Sequence, residues 1–139
     1  METGTIKIQT EKGKTPSVTA TLVNNNLWLT KCEIAKLLHC FPQKIEANLR
    51  SLFKEHLLWE SDCTYNHRYM DKGIEKQCLY YNLETVLFLS YRIHSFEASI
   101  FRRFVHSALC EHLQKKKTPP TPEIKLFWQF HPTQNYWTS

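Results

Sequence analysis

The chain predicts an α+β domain, and three observations carry that expectation. Short alternating segments near the N-terminus read as strands. Residues 30–53 hold two amphipathic helical patterns joined by a tight break, and residues 64–82 read as a hairpin that runs into apolar helical sequence. The expected order is N-terminal antiparallel strands, a helix-turn-helix pair, a wing-like β-hairpin, two C-terminal core helices and an extended tail.

Residues 5–9 form the first strand candidate. In residues 18–23, Val18, Ala20 and Leu22 alternate against Thr19, Thr21 and Val23, and Lys12-Gly13-Lys14 supplies the turn between the two strands. Asn24-Asn25-Asn26 turns the chain again into Leu27-Trp28-Leu29. That segment is expected as a third short strand of the N-terminal sheet, leading directly into the first helix.

Thr30-Lys31-Cys32-Glu33 fits a capping box, in which the Thr hydroxyl and the Glu carboxylate satisfy orphan backbone donors reciprocally, and Leu29 and Ile34 fall at staple spacing. Ile34, Ala35, Leu37 and Leu38 make one apolar stripe that stops at His39-Cys40, so a helix of about two turns is expected. The second helix opens at Pro42, where a missing N–H costs nothing, although Phe41 is a poor cap before it. Ile45, Leu49, Leu52 and Phe53 share one face.

Gln43, Ala47, Arg50 and Lys54 line the opposite face, flanked by Lys44 and Asn48. An inserted helix needs such a row: a small side chain permits close approach, Gln43 can pair an adenine edge, and Arg50 and Lys54 can reach guanine or phosphate. Gln43, Lys44, Ala47 and Asn48 are expected to face bases, with Thr30, Arg50 and Lys54 nearer the backbone. Glu46 works against this reading, because a carboxylate repels phosphate.

Residues 64–70 and 74–82 flank Asp71-Lys72-Gly73, a strong hairpin signal. A hairpin after a helix pair is the layout of a wing, whose tip would reach DNA through Arg68, Lys72 and Lys76. Residues 83–94 are apolar around much of the circumference and read as one buried helix. Residues 96–114 read as a second, with Ile100, Phe101, Phe104, Val105, Ala108, Leu109 and Leu113 inward, and the Arg102-Arg103 pair on a solvated face.

Two parts are expected, a folded domain over residues 1–114 and a tail over 115–139. The tail begins Lys115-Lys116-Lys117, passes through a proline run that cannot continue a helix, and carries Phe127, Trp128, Phe130, Tyr136 and Trp137. That much aromatic surface is expected to dock, with another subunit as the favoured site.

The net charge is +5, of which the first 114 residues contribute +2 and the tail +3, so basicity gives the folded part only weak support for a phosphate partner. No apolar run approaches the roughly 20 residues of a membrane span, and the N-terminus lacks a signal-peptide apolar region. A cytoplasmic protein is expected. Five cysteines with no C-x-x-C pair suggest reduced thiols, and neither Cys63-x3-His67 nor Cys110-x-His112 has a second ligand pair at finger spacing. No metal or other cofactor is expected. Only three glycines are present, so no phosphate-binding loop can be written, and no G-x-S-x-G or H-E-x-x-H motif occurs. An enzyme is therefore not expected.

The runs LWLTKCEIAKLL, IEANLRSLF and LYYNLETVLFLSYRIHS, in this order and spacing, resemble the RhuM virulence-protein family, and FRRFV is similar to the Bro-N and KilA-N type domains. The resemblance spans roughly residues 5–114 and is most specific at Tyr81-Asn82-Leu83. It implies an α+β DNA-binding domain of the kind carried on mobile elements, without a catalytic activity. The chain departs from the family where Glu46 and Ala47 replace Ser, Thr or Arg, and again from Lys115 onward.

Together these features lead to a DNA-binding protein, a transcriptional regulator or mobile-element accessory factor. Its expected partners are double-stranded DNA and a second copy of itself, since symmetric dimers space two recognition helices about 34 Å apart. The competing expectation is a protein-interaction or assembly module whose helix-turn-helix is structural and whose tail is the working surface.

Overall fold

A computed structural model describes residues 2–115; the tail positions Phe127, Trp128, Phe130, Tyr136 and Trp137 lie outside the described residues. The elements run β1 (Thr5–Gln9), β2 (Ser17–Thr21), β3 (Leu29–Thr30), α1 (Lys31–Leu38), α2 (Pro42–Lys54), α3 (Glu60–Cys63), β4 (Thr64–Asp71), β5 (Ile74–Tyr81), α4 (Leu83–Ser90) and α5 (Phe96–Lys115). The class is α+β, with the helix pair, the hairpin and the two later helices in the expected order. Residues through Phe104 form one compact unit; from Val105 onward the chain belongs to a second, described by itself.

β1 and β2 pair antiparallel from Thr5↔Thr21 to Gln9↔Ser17. Gly4 precedes them at φ +80, where an added Cβ would stand 2.7 Å from the Thr21 carbonyl oxygen, so this entry point accepts no side chain. The Asn turn forms as expected: Asn24 and Asn25 both occupy the left-handed region, and Val23 and Asn26 exchange backbone hydrogen bonds of 2.9 and 3.0 Å.

The third strand corrects the sequence-based expectation. Leu29 and Thr30 pair with Tyr81 and Tyr80 of β5, so β3 belongs to the hairpin's sheet, ordered β3-β5-β4, and not to the N-terminal pair. The expected strand over Leu27-Trp28-Leu29 shares only Leu29 with β3, and local pattern contained nothing about the partner, which lies about fifty residues downstream.

Both helices of the central pair end the same way. His39 (φ 56) and His56 (φ 59) take the left-handed position that glycine usually fills. The bonds Cys40 N–H to Ala35 O at 3.0 Å and Leu57 N–H to Leu52 O at 3.0 Å then close Schellman motifs. The helices terminate without glycine, at the energetic cost of a side chain in that conformation.

The expected single helix over residues 83–94 is shorter than its apolar pattern. α4 stops at Ser90, where the Arg102 guanidinium of α5 donates to the Ser90 carbonyl and, at 3.3 Å, to that of Ile93. A cation at a helix C-terminus satisfies orphan carbonyls and opposes the negative end of the dipole. Arg102 is therefore half-buried and structural, not part of a solvated face; Arg103 beside it is exposed. The inward face assigned to α5 is also shorter than expected. Ala98, Ile100 and Phe101 are buried, but Phe104 is more than a third exposed, and Leu109 and Leu113 are 55% and 54% exposed.

The core gathers Leu27, Ile34, Leu38, Ile45, Leu52, Val86, Leu89 and Phe101, each with essentially no solvent exposure. Polar groups stitch its edges. Asn82 caps α4 by accepting from Thr85 N–H at 3.0 Å and Thr85 Oγ1 at 2.9 Å, and is itself buried. Asn26 Oδ1 accepts from the backbone of Leu27 at 2.8 Å and of Leu83 at 3.1 Å. Ser95 donates to the last α1 residue's carbonyl, that of Leu38, and accepts from Ala98 N–H, fastening the C-terminus of α1 to the start of α5.

Two predictions come from this interior. Asn82→Ala removes a cap and leaves a buried hydroxyl and N–H without their acceptor; it should lower stability by roughly 1–3 kcal/mol with an unchanged urea m-value. Burial pushes the Cys63 thiol and the Tyr81 phenol up from their ordinary pKa values. The folded protein then keeps protons that the unfolded chain releases, so stability is complete below the ordinary thiol range and declines as pH rises through it. Thermal midpoints measured under reducing conditions should fall between neutrality and about pH 10.5, and Cys63→Ala should flatten the first part of that decline.

Candidate nucleic-acid interface

The helix pair is positioned from its first residue. Thr30 is the N-cap of α1: its hydroxyl accepts from Glu33 N–H at 3.2 Å while Glu33 Oε1 accepts from Thr30 N–H at 2.8 Å, the expected capping box. Thr30 is half-buried and paired with Tyr80, so its hydroxyl serves the helix end and is not presented as a free phosphate contact.

α2 follows a three-residue turn. Pro42 stands at its first position and Phe41 makes no side-chain cap, as its sequence implied. Ile45, Leu49 and Leu52 are buried on the inner face, with Phe53 half-buried beside them. Gln43, Lys44, Ala47, Arg50 and Lys54 are all exposed, and the row Gln43, Ala47, Arg50 and Lys54 runs along one side of the helix at intervals of four, three and four. Asn48 differs from its neighbours. It is half-buried, and its Nδ2 donates to the Lys44 carbonyl at 2.9 Å, which spends its amide on the helix's own backbone.

The geometry also changes the reading of Glu46. It is the only carboxylate on α2, and its Oε1 lies 3.4 Å from Lys31 Nζ at the start of α1. Such an exposed pair contributes little stability. Its electrostatic effect is local: the one negative group on the outer side of α2 is matched by a cation from the preceding helix. Beyond the C-terminus of α2, hydrogen bonding from Ser51 and then the nearby Arg92 guanidinium hold the Glu55 carboxyl below the usual carboxylate range.

Lys31 and Phe41 are the additions that sequence reasoning missed. Phe41 is 79% exposed at the head of α2. Its signal was an aromatic residue in an inter-helix turn with no inward position in either amphipathic stripe. Lys31 had no readable signal, because its pairing with Glu46 depends on how α1 and α2 cross.

The hairpin carries the remaining candidates. Lys72 (φ 53) and Gly73 (φ 79) form the two-residue turn, so Lys72 stands at the tip and adopts positive φ itself. Arg68 does not join it there. It is exposed in mid-strand opposite Gln77, on the sheet face away from Lys76, and Lys76 is bonded to Asp71 at 2.7 Å. The proposed tip cluster of three cations is thus reduced to Lys72. No hydrogen bond or ion pair among the described residues links Arg68 or Lys72 to α2.

Other chemistry is sparse among the described residues. No group of three or more His, Cys, Asp or Glu side chains is placed to hold a metal ion, and no helix is long and apolar enough to cross a membrane. An open cleft of about 610 Å³ between β1 and α1 is lined by Lys7, Glu33, Lys36 and Glu97 among aliphatic groups, with no histidine or cysteine. No family model, no curated protein and no solved structure matches the chain.

Proposed function

We propose that the chain binds double-stranded DNA through α2, as a transcriptional regulator or an accessory factor of a mobile element. The observation that carries this reading is the outer side of α2: an uninterrupted exposed row of Gln43, Ala47, Arg50 and Lys54 with Lys44 beside it, on a helix whose only carboxylate is already paired by Lys31. Ala47 leaves room for close approach to base edges, Gln43 supplies a paired donor and acceptor, and Phe41 offers an apolar face to a thymine methyl. The resemblance to RhuM-type sequences supports the same reading. Arg50 and Lys54 position the helix on phosphates, whereas Gln43 discriminates between bases.

Arg50→Ala is expected to weaken binding and reduce the slope of log K against log salt by about 0.9, the value for one phosphate contact on B-form DNA. Anisotropy titrations of a labelled duplex at several salt concentrations measure it; unchanged affinity and slope would reject the assignment. Lys31→Ala should also weaken binding by unmasking Glu46. Glu46→Gln should recover much of that loss in the Lys31→Ala background while changing wild-type binding little, a difference between backgrounds that two independent surface charges would not show.

A second reading, assembly through protein contacts, is favoured by a different observation. Tyr65, Tyr69, Met70 and Ile74 on the hairpin are exposed, although each is a residue type that gains by burial.

A further inference from the structure

Among the described residues, the hairpin's outer strand ends its sheet with no element beyond it. In the order β3-β5-β4, no strand among the described residues lies beyond β4, and its pairing with β5 is continuous from Thr64↔Tyr81 to Asp71↔Ile74 without a bulge. Proteins usually guard such an edge with proline, a bulge, short length or several charges. β4 has eight residues, no proline and one central cation, Arg68.

The direction of its free backbone groups follows from the turn. With Lys72 and Gly73 both at positive φ, the two-residue loop makes Asp71 and Ile74 the terminal bonded pair, and alternate pairs back along the ladder bond likewise. The N–H and C=O groups of Asp71, Tyr69, His67 and Tyr65 therefore point to β5. Those of Thr64, Asn66, Arg68 and Met70 point away from it, to the open edge.

The side chains show what fits there. Around His67 the strand reads Tyr-Asn-His-Arg-Tyr, with Tyr65 and Tyr69 equally spaced on either side. The three rings already lie nearly parallel along one face, with centroids 6.3 and 5.8 Å apart. Tyr65 and Tyr69 remain 45% and 41% exposed.

We infer that β4 pairs antiparallel with β4 of a second copy about a two-fold axis through His67. In that register Asn66 and Arg68 exchange backbone bonds with the partner's Arg68 and Asn66, and Thr64 does so with the partner's Met70, giving about eight hydrogen bonds. Tyr65 faces the partner's Tyr69 on the aromatic side, in the closer, non-bonded type of pair. The other central register that keeps the outward groups facing each other puts the axis through Arg68 and sets two guanidiniums directly opposite, which like-charge repulsion disfavours. A two-fold interface uses the same patch twice, and this strand is self-complementary about its centre. The inference stands independently of DNA binding.

Charge reversal on the axis tests it in the full-length protein. Sedimentation velocity on the wild type should give twice the chain mass at micromolar concentration. His67→Glu and His67→Lys should each give the single-chain mass, because each places like charges opposite one another. An equimolar mixture of the two should restore the doubled mass, which also establishes that both variants fold. Arg68→Pro, whose lost N–H points away from β5, should give a monomer with β4–β5 amide protection retained. A monomeric wild type, a dimer indifferent to both His67 variants, or a dimer lost only when residues 118–139 are removed would overturn the inference.

Discussion

Thr30 belongs to two structures at once, and the arrangement of the domain depends on that. As the second residue of β3 it pairs with Tyr80, and as the N-cap of α1 it exchanges hydrogen bonds with Glu33. Strand becomes helix within one residue, leaving no slack between the sheet and the helix pair. Leu29 before it and Ile34 after it are both buried, so the entry angle of α1 is held by apolar packing as well as by the cap. The face that α2 presents is set through this junction and the His39 turn.

Elsewhere, side chains reaching backbone groups distant in sequence do much of the joining. Ser95 ties α5 to α1, Asn26 ties the N-terminal loop to α4, and Arg102 closes the end of α4 from α5. Arg92 donates to Ser51 Oγ at 3.2 Å and meets Glu55 at 3.4 Å, linking the segment after α4 to the end of α2. Among the described residues, no buried side-chain polar atom lacks a hydrogen-bond partner. That completeness matters in a small domain, because an unpaired buried group would cost as much as a core residue contributes.

The two surfaces differ in kind. α2 offers a polar, cationic row with a masked carboxylate, suited to a charged partner. The hairpin offers nearly parallel aromatic rings and, among the described residues, a backbone edge with no strand beyond it. The two are separate elements: the inner face of α2 supplies Ile45, Leu49 and Leu52 to the core, whereas no residue of β4 is buried, so the edge strand can change without disturbing core packing.

Much of this was legible in the residues themselves. The capping box, Pro42 at the head of α2, the paired amphipathic stripes, the Asn turn and a hairpin turn at Asp71-Lys72-Gly73 are local features, determined by backbone geometry within a few residues. The exposed row of Gln43, Ala47, Arg50 and Lys54 followed from helical periodicity alone. Tertiary structure decided the partner of β3, the early end of α4, the capping role of Arg102, the pairing of Glu46 with Lys31 and the separation of Arg68 from the hairpin tip. Each of these depends on which elements meet, a matter of long-range packing that neither periodicity nor local propensity encodes.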